Sequence, residues 1–236
     1  MNRLALMVLR NIFRLPVYLP RLWHYAKHTD EYPEIEKWLH IHKTMKLAVE
    51  AGNIDLLVTG RENLPEQDGF VLYANHQGLF DVLALASDWD RPLAAVLKKE
   101  LAEVPLLKQI RLCTHSYAMD REDVRQSLTV IKNVTEQVQK GRNFLIFPEG
   151  TRSKNGNCMG EFHGGSFRAA MKAQCPIVPL CFVDSFKVLD GKGSTPVSAQ
   201  MHYLKPIPYE EYKDMKTVEV AALVKSRIQA VLDANT

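Results

Sequence analysis

From Ile54 onward, short apolar runs alternate with longer amphipathic segments. The short runs are five to seven residues long and end in turn-forming or charged residues, which is typical of strands; they cover residues 54–59, 70–74, 93–97, 143–147, 177–183 and 200–204. The longer segments, 121–140 and 217–232, repeat apolar side chains every three or four positions, as a helix with one buried face does. This alternation predicts an α/β domain built in layers around a largely buried central sheet.

Residues 1–52 follow a different pattern, which predicts helices. Over residues 1–29, basic side chains fall on one stripe of a helix (Arg3, Arg10 and Arg14) and apolar side chains on another (Leu4, Val8, Ile12 and Leu15). Pro16 and Pro20 are expected to end or kink this helix. A second helical pattern covers residues 34–51. We therefore predict an amphipathic helical hairpin ahead of a main domain at 53–236.

The basic amino-terminal segment favours contact with a membrane surface. Residues 1–29 contain five Lys or Arg residues and no Asp or Glu, a composition suited to the headgroup layer of anionic lipid. The longest stretch without Asp, Glu, Lys or Arg has 12 residues, fewer than the ~20 of a membrane-spanning helix. We expect a peripheral or monotopic protein at the cytoplasmic face of the cell membrane. The alternative is an ordinary amphipathic helix that packs on the domain.

Charge and cysteine content exclude other classes of protein. A formal net charge of +3 without a long Lys/Arg run argues against nucleic-acid binding. The four cysteines include no Cys-x-x-Cys pair, so neither a disulfide scaffold nor a cysteine zinc site is expected. His24 and His28 lie one helical turn apart, but the chain has no His-Glu-x-x-His sequence. We therefore expect no metal, no cofactor and a reducing, cytoplasmic setting.

The segment from Phe70 to Asp81 carries the first candidate for chemistry. It runs from a predicted strand through a turn that holds His76 into a helix that starts near Asp81. A turn between the two residues can fold the carboxylate back onto the imidazole. A carboxylate that accepts a hydrogen bond from one ring nitrogen makes the other nitrogen a better base. His76 is thus a candidate general base oriented by Asp81. The alternative is a helix-capping aspartate beside a histidine satisfied in a turn.

A second cluster, Phe147 to Ser153, directly follows a predicted strand. Loops at strand ends display functional groups on a rigid scaffold. Arg152 offers a planar guanidinium to a phosphate. Glu149 can hold a substrate hydroxyl or pair with Arg152. The alternative is a surface loop with a local salt bridge, which contributes little to stability.

Together the two motifs resemble those of the glycerolipid acyltransferases of the bacterial 1-acylglycerol-3-phosphate acyltransferase type. Asn75 to Asp81 contains His-x-x-x-x-Asp, and the sequence FPEGTRS follows about 70 residues later. Between them, Lys98 to Leu101 and Asp120-Arg121 resemble the family's lysine and arginine blocks. The resemblance covers about residues 54–205.

The resemblance implies roles for individual residues. In this family the histidine deprotonates the acceptor hydroxyl and the aspartate orients it, which assigns these roles to His76 and Asp81. The arginine of the Glu-Gly-Thr-Arg motif helps to bind the acceptor phosphate. The implied substrate-binding residues are Glu149, Gly150, Thr151, Arg152, Lys98 and Arg121.

The resemblance also implies the fold and the reaction. We expect a mostly parallel sheet, and transfer of a fatty acyl group from acyl-CoA or acyl carrier protein to the sn-2 hydroxyl of lysophosphatidic acid, giving phosphatidic acid. The chain has no Gly-x-Ser-x-Gly sequence, so direct attack by the substrate hydroxyl is expected. Three alternatives stay open: another acceptor such as glycerol 3-phosphate or another lysophospholipid, a non-catalytic membrane-binding scaffold, and a hydrolase that releases free fatty acid.

Overall fold

The structure is a computed structural model that describes residues 2–191 and 193–236. Its strands are β1 (Ile54–Thr59), β2 (Val71–Ala74), β3 (Leu93–Lys98), β4 (Tyr117–Met119), β5 (Asn143–Ile146), β6 (Ile177–Val183) and β7 (Val197–Tyr203). Its α-helices are α1 (Arg3–Arg10), α2 (Leu15–Lys27), α3 (Glu34–Ala51), α4 (Leu79–Asp88), α5 (Leu107–Cys113), α6 (Val124–Gln139), α7 (Arg168–Ala173), α8 (Phe186–Leu189), α9 (Tyr209–Tyr212) and α10 (Thr217–Asn235).

The strands of the described residues form one sheet in the order β1-β7-β6-β2-β5-β3-β4. Neighbouring strands run parallel except β6 and β7, which are antiparallel. The predicted layered α/β fold with a mostly parallel sheet is confirmed. Because β2 lies between β6 and β5 and all three point the same way, their carboxyl ends meet at one edge of the sheet, which we call the carboxyl edge.

Helices cover both faces of this sheet. Val71 and Tyr73 of β2 belong to the core beneath α6, α7 and α10. Leu72 and Ala74 belong to the core shared with α3 and α4. Side chains alternate between the faces of a strand, so a strand covered on both faces is apolar at every position. This arrangement explains why the strand segments are unbroken apolar runs.

Most predicted elements are present with shifted ends. Strands β1 and β6 and helix α3 have the predicted bounds. The helix predicted over 121–140 begins only at Val124, because the Asp123 side chain caps it by accepting hydrogen bonds from two backbone N–H groups of the first turn. Strand β4 is not predicted by the pattern, since three residues carry too little periodicity to be recognised.

The amino-terminal segment forms three helices in place of the predicted two-helix hairpin. A turn at residues 11–14 separates α1 from α2. Pro16 lies in the first turn of α2, where a missing N–H breaks no helical hydrogen bond, and Pro20 lies inside α2 without ending it. The interruption therefore lies upstream of both prolines. Met1 of the predicted segment lies outside the described residues, and the domain boundary at residue 52 stays a prediction.

Arg3 of the predicted basic stripe faces the protein, whereas Arg10 and Arg14 are exposed. Arg3 is buried, and its guanidinium donates hydrogen bonds to the backbone carbonyls of Gly52, Asn53, Val188 and Thr195. Arg10 donates to the Ala51 carbonyl and to the Asn53 side chain. Helical periodicity predicts two faces but not which one meets the protein. The several N–H donors of a guanidinium explain how Arg3 is accommodated on the inward side of α1, beside Leu6 and Met7.

The outward side of α1 and of the start of α2 also carries apolar side chains. This outer apolar face consists of Leu4, Val8, Leu9, Ile12, Phe13 and Val17. Phe13 is 94% exposed and Val17 66% exposed. Contiguous exposed apolar side chains mark interaction surfaces, whereas isolated ones do not. Within the described residues, no helix combines the length and the apolar character needed to cross a bilayer.

Helix α3 carries a buried lysine beside a histidine of the main domain. Lys37 donates a hydrogen bond to the Thr29 carbonyl at 2.5 Å, and its Nζ lies 3.3 Å from Nε2 of His115. Burial lowers the pKa of His115, and the neighbouring charges of Lys37 and Arg142 lower it further. Glu34 and Asp30 act in the opposite direction and offset part of this effect. The neutral imidazole is therefore the form that suits the folded protein.

A histidine whose pKa is lowered by folding makes the protein less stable in acid, because the unfolded chain then binds the proton more readily. The free energy of unfolding should fall as the pH drops below the ordinary pKa of histidine. The variant His115→Gln keeps an acceptor for Lys37. We expect its free energy of unfolding, measured in urea, to fall less steeply between pH 7.5 and pH 5 than that of the parent protein. His163→Gln, at an exposed histidine, is the control. Equal slopes for His115→Gln and the parent protein would contradict the prediction.

Candidate active site

Three loops meet at the carboxyl edge. The first follows β2 and holds His76, the second follows β5 and holds the FPEGTRS sequence, and the third follows β6 and begins with Asp184 and Ser185. The backbone N–H of Ser153 donates to the His76 carbonyl at 2.7 Å, which joins the first two loops directly. Crevices at the carboxyl ends of parallel strands are preferred positions for ligand sites in open α/β sheets.

The turn after β2 folds the aspartate back as the spacing predicts. Gly78 precedes α4, and Asp81 is the third residue of that helix. Oδ2 of Asp81 accepts hydrogen bonds from the backbone N–H groups of Gln77 at 2.7 Å and Gly78 at 3.0 Å. The same oxygen lies 2.7 Å from Nδ1 of His76. Asp81 therefore both caps the start of the helix and holds the imidazole of His76 by a hydrogen bond.

The surroundings of His76 leave one ring nitrogen available. A carboxylate only accepts hydrogen bonds, so Nδ1 carries the proton and Nε2 has the free lone pair. Nε2 makes no hydrogen bond to any residue that the structure describes. Phe147 stacks on the imidazole with ring centroids 4.0 Å apart and planes inclined by 20°. The hydrogen bond and the stacking together fix the ring plane and hold Nε2 in one orientation.

Glu149 is buried and supports the turn that holds His76. One carboxylate oxygen accepts a hydrogen bond from the backbone N–H of His76, the other from that of Gly160, both at 2.7 Å. Gly160 permits this approach, since a Cβ there would lie 2.9 Å from Oε2 of Glu149. Burial raises the pKa of Glu149, and the two N–H donors oppose that rise. The possible ion pair between Glu149 and Arg152 is absent from the described residues.

Arg121 lies against the loop that follows β5. Gly150 adopts a φ of +73°, and a Cβ at this position would lie 3.1 Å from Nη1 of Arg121. Loss of water around the guanidinium lowers the pKa of Arg121. Arg121 and Arg152 are both exposed, and neither belongs to an ion pair within the described part of the chain. Lys98 instead pairs with Glu100 at 2.9 Å. Of the three predicted cations, Arg121 and Arg152 therefore remain unpaired within the described residues.

A polar network behind the imidazole is not revealed by the sequence. Gln77 donates through Nε2 to Asn157 at 2.8 Å, and Asn157 donates to Asp184 at 2.9 Å. Ser185 donates through Oγ to Oδ1 of Asp81. Asp184 and Ser185 directly follow β6, whose carboxyl end borders that of β2. They can therefore be recognised as neighbours of His76 only when the strand order is known.

The arrangement suits removal of a proton from a hydroxyl group on a molecule that also carries an anionic group. Nε2 of His76 supplies the base. Arg121 and Arg152 supply positive charge near the same loop, and the exposed Thr151 adds a hydroxyl donor. An anchor at a distance from the reacting atom would hold the hydroxyl in place for proton transfer.

Comparison with known proteins yields consistent matches. The model of the family described as Acyltransferase matches residues 55–183. The 1-acyl-sn-glycerol-3-phosphate acyltransferase of Helicobacter pylori is 30% identical over 142 residues, 60% of this chain and 59% of that protein. The protein of the same name from Saccharomyces cerevisiae is 29% identical over 191 residues, 79% of this chain and 62% of that protein. The matched regions thus span about three fifths of the length of these curated relatives.

The fold has a solved counterpart. The crystal structure of the 1-acyl-sn-glycerophosphate (LPA) acyltransferase PlsC from Thermotoga maritima superposes with a TM-score of 0.77 and covers 98% of this chain and 95% of that one. The two sequences are 23% identical. The similarity therefore extends over the amino-terminal helices as well as the sheet.

Proposed function

Because the chain belongs to the acyltransferase family, we propose that it transfers a fatty acyl group from an acyl thioester to the sn-2 hydroxyl of lysophosphatidic acid, forming phosphatidic acid. The observation that carries the proposal is the imidazole of His76, bonded through Nδ1 to Asp81 and unbonded at Nε2. The names of the relatives support the choice of acceptor. The donor is acyl-CoA or acyl carrier protein.

In this proposal His76 acts as a general base and then as a general acid. Nε2 takes the proton of the acceptor hydroxyl while its oxygen attacks the thioester carbonyl carbon. The tetrahedral intermediate collapses, the C–S bond breaks, and the leaving thiolate receives the proton from the imidazolium. Asp81 stabilises the positive charge that His76 carries between the two proton transfers.

The phosphate of the acceptor is proposed to bind Arg121 and Arg152. Both guanidinium groups lie at the loop that follows β5 and form no ion pair within the described residues, which leaves their N–H donors for an anion. Lys98 is a weaker partner because Glu100 already neutralises it. Glu149 has no free carboxylate oxygen, so we propose that it positions the His76 turn and does not hold substrate.

We further propose that the outer apolar face enters the headgroup layer of the cytoplasmic leaflet, which makes the protein peripheral or monotopic. Burying such a face in lipid removes apolar area from water. The exposed side chains of Arg10 and Arg14 lie beside it and suit an anionic surface. Arg3 takes no part in lipid contact, because its guanidinium is bonded inside the protein.

The reaction is tested by incubating the purified protein with acyl-CoA or acyl carrier protein thioesters and with lysophosphatidic acid, glycerol 3-phosphate or lysophosphatidylcholine. Mass spectrometry identifies the product. The proposal expects phosphatidic acid, with one equivalent of free thiol for each molecule formed. Faster acylation of another acceptor would overturn the choice of acceptor. Free fatty acid as the main product would indicate a hydrolase, and no turnover with any pair would indicate a binding scaffold.

Membrane contact predicts a loss of vesicle binding in the double variant Phe13→Glu, Val17→Glu. Full burial of such a side chain contributes about 1.5–3 kcal/mol, and about 1.4 kcal/mol corresponds to a factor of ten. We therefore expect the partition coefficient on vesicles of phosphatidylglycerol and phosphatidylethanolamine to fall at least about tenfold, as measured by co-sedimentation.

The matched control is the double variant Val124→Glu, Val218→Glu. These valines are 68% and 62% exposed and lie in the first turns of α6 and α10, away from the outer apolar face, so the added charge is the same. The control should bind vesicles like the parent protein. Equal losses in both double variants would show that added negative charge, and not the outer apolar face, determines binding.

A further inference from the structure

Ser185 occupies a buried position directly behind the His76–Asp81 pair. It is 1% exposed, and Asp81 is 0% exposed. The hydroxyl of Ser185 donates to Oδ1 of Asp81, the carboxylate oxygen that His76 does not use. The backbone N–H of Ser185 donates to Oε1 of Gln77 at 2.9 Å. The serine at the end of β6 is thus bonded to the aspartate and to the residue that follows His76.

Both oxygens of the Asp81 carboxylate are therefore held by donors. Oδ2 receives His76 Nδ1 and the backbone N–H groups of Gln77 and Gly78, and Oδ1 receives the hydroxyl of Ser185. The donors on Oδ2 all come from the turn after β2. Ser185 alone comes from a different strand end. Without it, the carboxylate can rotate about the Cβ–Cγ bond while it keeps some contact with its own turn.

We infer that Ser185 is a positioning residue for the proposed acyl transfer: it locks the Asp81 carboxylate in the plane in which Oδ2 faces the imidazole of His76. This inference rests on the proposed function and adds a third member to its catalytic pair. Ser185 does not touch substrate or the reacting atoms. It acts through Asp81, and its hydroxyl is the group that matters.

Loss of the Ser185 hydroxyl should also change the protonation of His76 in one direction. A hydroxyl that donates to a carboxylate draws off part of its negative charge, so removal of Ser185 Oγ leaves Asp81 with more charge to share with an imidazolium. The protonated form of His76 becomes easier to populate. In Ser185→Ala the acid limb of the rate against pH should therefore move to higher pH. A serine that merely filled space would leave that limb in place.

The experiment compares Ser185→Ala with Ser116→Ala. Ser116 is also buried, and its Oγ accepts from the Ala95 N–H at 2.8 Å and lies 2.7 Å from Thr114 Oγ1, away from the carboxyl edge loops. For Ser185→Ala we expect kcat to fall about 10- to 100-fold, since hydrogen bonds to charged groups are the stronger kind, with KM for both substrates within twofold. Ser116→Ala should lose stability and keep kcat. Ser185→Thr retains the hydroxyl and should recover most of the lost rate.

A second measurement keeps the inference testable without turnover. NMR titration of the imidazole signals of His76, assigned with His76→Gln, should show the midpoint moving to higher pH in Ser185→Ala and not in Ser116→Ala. If Ser185→Ala fails to fold, Ser185→Cys, with a similar volume and a weaker donor, replaces it in both measurements.

The two measurements distinguish the failure of the proposed function from the failure of the role of Ser185. An inactive parent protein whose His76 midpoint still responds to Ser185→Ala would overturn the proposed function and support the positioning contact. An active parent with equal kcat and equal midpoints in the two alanine variants would overturn the role of Ser185 and leave the proposed function standing. A rise in KM with unchanged kcat would also overturn it, because that result indicates substrate binding.

Discussion

Replacement of His76 by alanine is expected to lower kcat for acyl transfer by about 10²- to 10⁴-fold, the range typical of a lost general base. The reason is that no other group replaces Nε2: within the described residues, Asp81 is the only side chain bonded to the imidazole, and it is buried. The measurement is the initial rate of thiol release from the thioester donor at saturating lysophosphatidic acid.

The control for this variant is His202→Ala. His202 is half-buried, bonds to the side chains of Thr59 and Gln200, and lies near the carboxyl end of β7, which points away from the carboxyl edge. Its replacement should leave kcat within a factor of two. A His76→Ala protein that keeps most of the parent rate would show that the proton is removed by another group.

Asp81→Asn is expected to produce the second large loss, also about 10²- to 10⁴-fold in kcat. Asparagine has nearly the same shape, but it replaces one accepting oxygen with an NH₂ group. Four donors converge on the carboxylate, from His76, Gln77, Gly78 and Ser185. The neutral amide does not stabilise the positive charge that His76 carries after it takes up a proton, and its oxygen accepts the hydrogen bonds of His76, Gln77 and Gly78 less strongly than a carboxylate oxygen does. Because hydrogen bonds to a charged group are the stronger kind, their weakening should also cost about 1–3 kcal/mol of stability.

Two comparisons separate catalysis from stability in this variant. Asp88→Asn changes another buried carboxylate of α4, which binds Arg61 and Tyr203, so it should lower the melting temperature without a comparable loss of kcat. The double variant His76→Ala, Asp81→Asn should be no slower than His76→Ala alone, because the two residues act as one unit. If the loss of kcat in the double variant equals the product of the two single losses, Asp81 has a separate function.

The contact between His76 and Asp81 could be predicted because both residues lie in one continuous segment. Local rules of turns and helix starts then suffice to bring them together. These local rules cannot predict the position of Ser185, which lies about 100 residues further along the chain. Its bond to Asp81 depends on β6 being the neighbour of β2 in the sheet, and strand order is not encoded in the spacing of apolar residues. The same holds for Glu149, whose inward direction depends on Gly160 approaching it from a later loop.

In the amino-terminal segment, the sequence predicts the helix but not which of its faces points inward. The amphipathic pattern of α1 is clear, and lipid contact is the function that such a pattern favours. The pattern alone places the arginines toward anionic headgroups. In the structure the carbonyl groups that receive Arg3 come from Gly52, Asn53, Val188 and Thr195. Because these acceptors lie far from α1 in the sequence, the pattern of α1 could not predict that Arg3 turns inward.

The bond from Arg3 to Val188 has a geometric consequence for the proposed enzyme. Val188 belongs to α8, and α8 begins directly after Ser185. This short connection joins α1 to the loop behind His76 without a flexible linker. If the outer apolar face enters lipid, the orientation of the molecule on the bilayer therefore fixes the position of His76 as well. The base would then work at one depth of the bilayer. The height of an acceptor hydroxyl above the bilayer centre, and not only its chemistry, would decide which lipids are acylated.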